Sequence, residues 1–200
     1  GYLEALRDGV VAPEPAVFAS LLDEADRLVR LSRSLDTLAD GDARPPRELV
    51  ELDVVRAIRS AVDLATPSAQ AAGLSISADL PPRLAVRADP DGLAQVLANL
   101  LQNAVRYTPP GGQVTVHAEA RPRDVLVAVS NTGPGIPPAD LPHVFERFYR
   151  VEKSRDAARG GAGIGLAIVR QIVEAAGGRV GAESVAGVTR VWFSLPSPAD

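Results

Sequence analysis

The period of apolar and polar positions changes several times along these 200 residues, and each change marks an element. Phe18, Leu21, Ala25, Leu28, Ser32 and Leu35 follow a three-four spacing, with Leu22, Val29 and Leu31 widening the stripe. Asp23, Asp26, Arg27, Arg30 and Arg33 take the other face. This pattern predicts an amphipathic helix from about Pro15 to Leu38. Tyr2 to Val10 reads as the end of an earlier helix, with Gly9 and Pro13-Glu-Pro15 forming the bend between the two. Such a hairpin, its first arm truncated, cannot cover its own apolar stripe, which predicts a homodimer through a helical bundle. Asp40-Gly-Asp-Ala-Arg-Pro-Pro46 reads as linker, so domains are expected at 1–42 and 43–200.

Beyond the linker the pattern turns to mixed α/β. A short strand near Leu49 precedes a helix from about Val54 to Ala72, and strands follow at Leu74 to Ala78 and Leu84 to Ala88. Asp89-Pro90 starts a second helix with an N-cap carboxylate and a first-turn proline. It runs to about Tyr107, where Pro109-Pro-Gly-Gly112 stops it. Val114, Val116, Ala118 and Ala120 alternate as one strand, and Val125, Val127 and Val129 as the next. An irregular stretch from Gly133 to Gly163 leads to a helix from Ile164 to Ala176, closed by Gly177-Gly178. Strands at Arg179 to Glu183 and Thr189 to Leu195 finish the chain. Trp192, out of phase with Val191 and Phe193, is placed as cover for a helix. The expected class is α+β: a two-layer α/β sandwich, a mixed sheet of about five strands with three main helices, preceded by the helical-hairpin fragment.

Composition narrows the function classes. Hydrophobic residues at 46% suffice for a core, and aromatics at 4% make it one of Leu, Val, Ile and Ala. A net charge of −4 argues against a broad nucleic-acid surface. Without cysteine there is no disulfide framework or thiolate metal site, and two histidines far apart do not form a zinc site. No apolar run approaches the roughly 20 residues of a membrane span, and no signal-peptide pattern is present. These features predict a cytoplasmic chain with no membrane contact of its own. The absence of Met, even at position 1, reads as a piece of a longer chain with membrane segments upstream.

Three polar segments carry the candidate chemistry. On the helix after Asp89, Asn99, Asn103 and Arg106 fall in a narrow stripe beside the apolar face. Asn costs a helix about 0.5 kcal/mol against Ala. The stripe is either a solvated flank or the wall of a cleft. In a cleft, an Asn oxygen suits Mg²⁺, Arg106 offers a fork for phosphate, and Tyr107 offers a ring for stacking. In Asn131-Thr-Gly133-Pro-Gly135-Ile136, the glycines permit close backbone approach to a ligand, and Asn131 can donate and accept against a purine edge. Gly160-Gly-Ala-Gly-Ile-Gly165 opens a helix whose amides form an anion site. It lacks the Gly-Lys-Ser/Thr ending of a Walker loop and, with Leu166 in place of a glycine, the dinucleotide fingerprint. The stretch before it carries Arg147, Arg150, Lys153, Arg155 and Arg159, as expected of a lid with basic groups for phosphates. His117, opposite the valines of its strand, is expected to be exposed, and His143 is read as a packing or surface residue.

Together these segments resemble the catalytic and ATP-binding domain of bacterial sensor histidine kinases, in the GHKL ATP-binding superfamily. The resemblance covers nearly the whole chain. Asn99 to Tyr107 resembles the asparagine box, Asn131 to Ile136 the first glycine box, Phe145-Glu-Arg-Phe-Tyr-Arg150 the phenylalanine box, and Gly161 to Leu166 the second glycine box. Gly1 to Leu6 and the Pro15 to Leu38 helix are similar to the end of the first and all of the second dimerisation helix. The resemblance implies that Asn103 ligates Mg²⁺ between the ATP phosphates and that Asn99 supports phosphate or metal-bound water. Arg106 stands where the family often has a lysine that contacts phosphate. Tyr107 would pack near the adenine, and Asn131 would hold its amino group. Gly133, Gly135, Ile136, Ile164, Leu166 and Thr189 belong to the same implied ATP site. Gly161, Gly163 and Gly165 would bring amides to the phosphates, and Lys153 or Arg155 would reach them from the lid.

Three departures qualify the resemblance. Position 131 is Asn where the family more often has Asp, and Ala186-Gly-Val-Thr189 keeps one glycine of the usual last pair. The phosphoacceptor histidine of the first dimerisation helix is expected before Gly1, so no catalytic acceptor is assigned within the chain. The implied activity is transfer of the ATP γ-phosphoryl to a histidine outside these residues, for relay to an aspartate of a response regulator. The alternatives are an ATP-hydrolysing GHKL machine, which would use a Glu where this chain has Asn99, and an ATP-sensing scaffold without transfer.

Overall fold

The computed structural model describes residues 48–151 and 163–198. The chain divides into two compact units, Gly1–Asp42 and Ala43–Asp200. The expected helical hairpin and its dimer contact lie outside the described residues.

The second unit runs β1 (Val50–Asp53), α1 (Val54–Ala71), β2 (Ser75–Asp79), β3 (Ala85–Ala88), α2 (Pro90–Tyr107), β4 (Gln113–Ala120), β5 (Asp124–Thr132), a 3-10 turn (Leu141–His143), α3 (Gly165–Ala175), β6 (Arg179–Val185) and β7 (Val188–Pro196). Five strands form one sheet in the order β2-β4-β5-β7-β6. Only β2–β4 is parallel; the other pairs are antiparallel. This is the mixed five-stranded sheet with three helices that the sequence predicts. β1 and β3 stand apart as an antiparallel pair.

Local chemistry sets the elements. Asp53 caps α1 by accepting from the Val55 N–H (3.1 Å), and the same oxygen accepts from the Leu84 N–H (3.2 Å), which ties the two-stranded ladder to the helix start. Asp89 caps α2 by accepting from the Gly92 N–H at 2.9 Å, with Pro90 in the first turn. Leu93, Val96, Leu97, Leu100, Leu101 and Ala104 of α2 are buried. They meet alternate residues of the sheet, Val114, Val116, Val125, Val127, Val129, Phe193 and Leu195, together with Val169 and Val173 of α3. Each such side chain withdrawn from water contributes about 1.5–3 kcal/mol.

Trp192 corrects one expectation. Phe193 and Leu195 hold the phase that meets the helices, so Trp192 points to the other face of the sheet. There it covers Gly181, its partner in register, where a Cβ would stand 2.3 Å from the ring. Alternation identifies two faces; the missing side chain on β6 decides which one can take an indole.

Candidate functional site

The C-terminal half of α2, the end of β5 and the start of α3 converge. A Cβ on Gly133, just after β5, would stand 2.8 Å from the Tyr107 carbonyl oxygen, so the Gly133–Ile136 loop runs against the end of α2. A Cβ on Gly165, the first residue of α3, would stand 3.7 Å from Asn99 Oδ1. Asn99, Asn103 and Arg106 are all half-buried on the flank of α2.

The electrostatics favour an anion. Asn99 Nδ2 and Arg106 Nε and Nη2 are buried and have no hydrogen-bond acceptor among the described residues. A buried donor without a partner costs about 1–3 kcal/mol, and more when charged. Two such groups on one helix flank call for acceptor oxygens. α3 adds to this: its N-cap, Ile164, provides no side-chain cap, and its first turn holds no acidic residue. Among the described residues, neither an N-cap side chain nor a first-turn carboxylate therefore offsets the first-turn amides and the positive end of the helix dipole. Arg106 also lies over the Tyr107 ring at 5.3 Å, leaving Tyr107 45% exposed.

The phenylalanine-box segment fastens the entry to α3. The Phe148 N–H donates to the Gly163 carbonyl at 2.8 Å. Phe148 has φ +65° and Gly163 φ +68°. A Cβ on Gly163 would stand 2.7 Å from the Tyr149 carbonyl oxygen, so only glycine fits there. The Tyr149 hydroxyl donates to Asp140 Oδ1, and this bond, with desolvation adding to it, raises the phenol above the usual tyrosine range. His143 accompanies Tyr149 with ring centroids 5.4 Å apart and pairs with Glu146 at 2.7 Å.

At the far end, Asn131 is buried and its Nδ2 donates to the Thr132 carbonyl at 3.3 Å. Thr189, also buried, is its partner in register on β7. Gly133 donates to the Gly187 carbonyl (2.9 Å), and Ile136 to Ser184 Oγ (2.9 Å), so Gly133–Ile136 is held on the β6–β7 hairpin. Sequence reasoning overlooked Ser184. Its available signal was its place opposite Thr189 across a tight hairpin.

Most of the expected site residues thus fall in one region: Asn99, Asn103, Arg106, Tyr107, Gly163, Ile164, Gly165 and Leu166 around the α2–α3 junction, and Asn131, Gly133, Gly135, Ile136 and Thr189 around the end of β5. Lys153, Arg155 and Gly161 lie outside the described residues. Among the described residues, no three His, Cys, Asp or Glu gather as a metal site. His117 is half-exposed on β4, paired with Asp79 (3.0 Å) and Glu119 (3.7 Å).

A family model described as histidine kinase-, DNA gyrase B-, and HSP90-like ATPase matches residues 88–199. The signal transduction histidine-protein kinase BaeS of Escherichia coli (strain K12) is 36% identical over 202 residues, which cover 100% of this chain and 43% of BaeS. The sensor histidine kinase WalK of Bacillus subtilis (strain 168) is 35% identical, covering 98% of this chain and 33% of WalK. Among solved structures, full-length ShkA in complex with AMPPNP superposes with a TM-score of 0.79 at 30% identity, over 94% of this chain and 40% of that one. The chain spans less than half the length of each of these relatives.

Proposed function

Because the chain belongs to the histidine kinase-, DNA gyrase B-, and HSP90-like ATPase family, we propose that it is the ATP-binding module of a sensor histidine kinase. It would present the γ-phosphoryl of ATP to a histidine outside these residues, for relay to an aspartate of a response regulator. The observation that carries this reading is the set of unpaired donors, Asn99 Nδ2 and the Arg106 guanidinium, beside the uncapped start of α3. A polyphosphate supplies the acceptors these groups lack. The binding of AMPPNP by ShkA, a relative over nearly the full length of this chain, supports the choice of nucleotide.

The residues present fit a magnesium ion. With no carboxylate cage among the described residues, the ion would arrive with the phosphates and take a neutral oxygen from Asn103, in keeping with the few protein ligands Mg²⁺ usually accepts. Bound there, it would neutralise phosphate charge. The protein's own groups position the nucleotide: Asn131 at the base, Arg106 and the α3 amides at the phosphates. Phosphoryl transfer depends mainly on such positioning and charge stabilisation. Dimerisation through residues 1–42 and a cytoplasmic location complete the proposal.

The hydrolysing alternative needs a general base to activate water. Asn99 stands at that place, and an amide is no base. Calorimetry with ATP and Mg²⁺ is expected to give micromolar affinity, about −8 kcal/mol, with negligible phosphate release from the same mixture. Absence of binding by a folded chain would overturn the nucleotide assignment. Sustained phosphate release would favour the hydrolysing machine. Binding with no transfer to any acceptor helix of a sensor kinase would favour the scaffold.

A further inference from the structure

Asn131, Thr189 and Ser184 form a row across three neighbouring strands, since Asn131 registers with Thr189 and Thr189 with Ser184. The rows beside it on the same face are apolar: Val129, Val191 and Ala182, then Val127, Phe193 and Val180. The polar row therefore ends the core where the Gly133–Ile136 loop crosses the sheet. Ser184 Oγ lies 2.9 Å from the Ile136 nitrogen and 3.2 Å from Thr189 Oγ1. It also lies 2.8 Å from where a Cβ on Gly135 would stand, so the loop backbone closes directly over the hydroxyl.

The direction of these bonds matters. An N–H only donates, so Ser184 accepts from Ile136. A serine hydroxyl has one proton of its own, and Thr189 Oγ1 is an acceptor within reach, in a pair where either hydroxyl can donate. We infer that Ser184 is a positioning residue: by donating to Thr189 it turns the Thr189 proton away from β6 and toward the base pocket beside Asn131. The second half of the pocket edge is set independently. One of the two N–H groups of Asn131 Nδ2 is engaged by the Thr132 carbonyl, which fixes the carboxamide and makes Oδ1 its acceptor for a ligand. The edge then reads acceptor from Asn131 and donor from Thr189. Adenine complements that pair with its 6-amino group and the lone pair of N1. Guanine presents the reverse, a 6-oxo acceptor and an N1–H donor.

This inference rests on the nucleotide reading above and adds a source of purine selectivity. A carboxylate at position 131 could only accept. An amide could rotate to offer its NH₂ to guanine O6. The Thr132 carbonyl and the Ser184-directed Thr189 proton oppose that rotation, so the selectivity would reside in the row rather than in Asn131 alone.

The test compares ADP and GDP binding by calorimetry on the 200-residue chain and its variants. Ser184→Ala is expected to weaken ADP about tenfold, the scale of one lost hydrogen bond, while weakening GDP little, so the ADP-over-GDP ratio falls. Ser184→Thr, which keeps a hydroxyl, is expected to restore the ratio. Thr189→Val should lose the same selectivity, and the double variant should lose no more than either single change, as expected of one shared relay. If Ser184→Ala does not fold, Ser184→Cys, nearly isosteric and a weak donor, carries the comparison. Equal losses for ADP and GDP, or an unchanged ratio, would reduce Ser184 to a structural contact and overturn the inference while the nucleotide reading stands. A folded wild-type chain that binds neither nucleotide would overturn both.

Discussion

Replacing Gly163 by Ala tests how the start of α3 is held. Gly163 has φ +68°, and an L-residue in that region loses about 1–2 kcal/mol. The added Cβ would also stand 2.7 Å from the Tyr149 oxygen and 2.9 Å from the Phe148 carbonyl carbon. Both are backbone atoms, so no rotamer change relieves the contact. Instead the 2.8 Å bond from Phe148 N–H to Gly163 O must lengthen, which costs about another 1 kcal/mol. The sum is about 2–3 kcal/mol. It falls on a surface junction that can open while the sheet and helices stay packed, so it should appear mainly as weaker ligand binding. At 1.4 kcal/mol per tenfold, ADP affinity is expected to fall about 30- to 140-fold, and hydrogen exchange at the Phe148 amide to accelerate. The melting temperature should move by less than the several degrees that the same energy would produce if lost from the whole fold. Unchanged ADP affinity with unchanged Phe148 protection would show that this junction does not position α3, and the reasoning would fail.

Three further outcomes follow from the same geometry. Among the described residues Gly165→Ala meets only the Asn99 carboxamide, at an ordinary 3.7–3.8 Å, so the fold should stay within about 1 kcal/mol of its stability; the new methyl narrows the proposed phosphate cradle, and ADP affinity should fall at least tenfold by calorimetry, whereas full affinity would place the phosphates elsewhere. Asn103→Ala should keep the fold and lose the dependence of nucleotide affinity on Mg²⁺; persistence of that linkage would assign the metal oxygen to another residue. Tyr149 should titrate above the ordinary tyrosine range by ultraviolet absorbance, because its bond to Asp140 favours the protonated phenol. A raised folded-state pKa gives stabilisation that is present at neutral pH and lost as pH rises through that value, so the protection of the Phe148 amide relative to its intrinsic exchange rate should fall only in strong alkali, and Asp140→Ala should return the phenol toward its usual range.

The parts of this molecule that sequence revealed are those with local causes. The start of α2 was legible because Asp89 and Pro90 act within one turn of themselves, and β4 and β5 because alternating valines impose a two-sided strand. The separate β1–β3 ladder was not legible as such. Its strands are four residues long, and the bond that places them runs from Asp53 to Leu84, 31 positions away. The face of Trp192 was not legible for a related reason, since it depends on register with Gly181. Ser184 was silent: serine in an alternating strand is ordinary, and its partner Ile136 is 48 residues earlier. The same holds for Tyr149, whose polar end is explained only by Asp140. The glycine and asparagine segments were legible as a group because ligand sites need close backbone approach and neutral polar groups, and few other uses place all three in one chain.

The composition of the converged site limits its chemistry. Asn99, Asn103, Arg106 and the backbone at Gly163, Ile164 and Gly165 can donate hydrogen bonds, accept them through amide oxygens, or carry fixed positive charge. None can take a proton near neutral pH, because amides are not bases and a guanidinium stays protonated. Such a site can hold and orient a polyphosphate and spread its charge, but cannot deprotonate a water brought beside it. In the proposed reading, the attacking group arrives with its own base. A histidine presented by another helix, with an acidic neighbour to take its proton, meets that requirement; free water does not. Among the described residues, the groups around the proposed phosphate cradle thus accord with the proposal of transfer to a protein acceptor rather than hydrolysis.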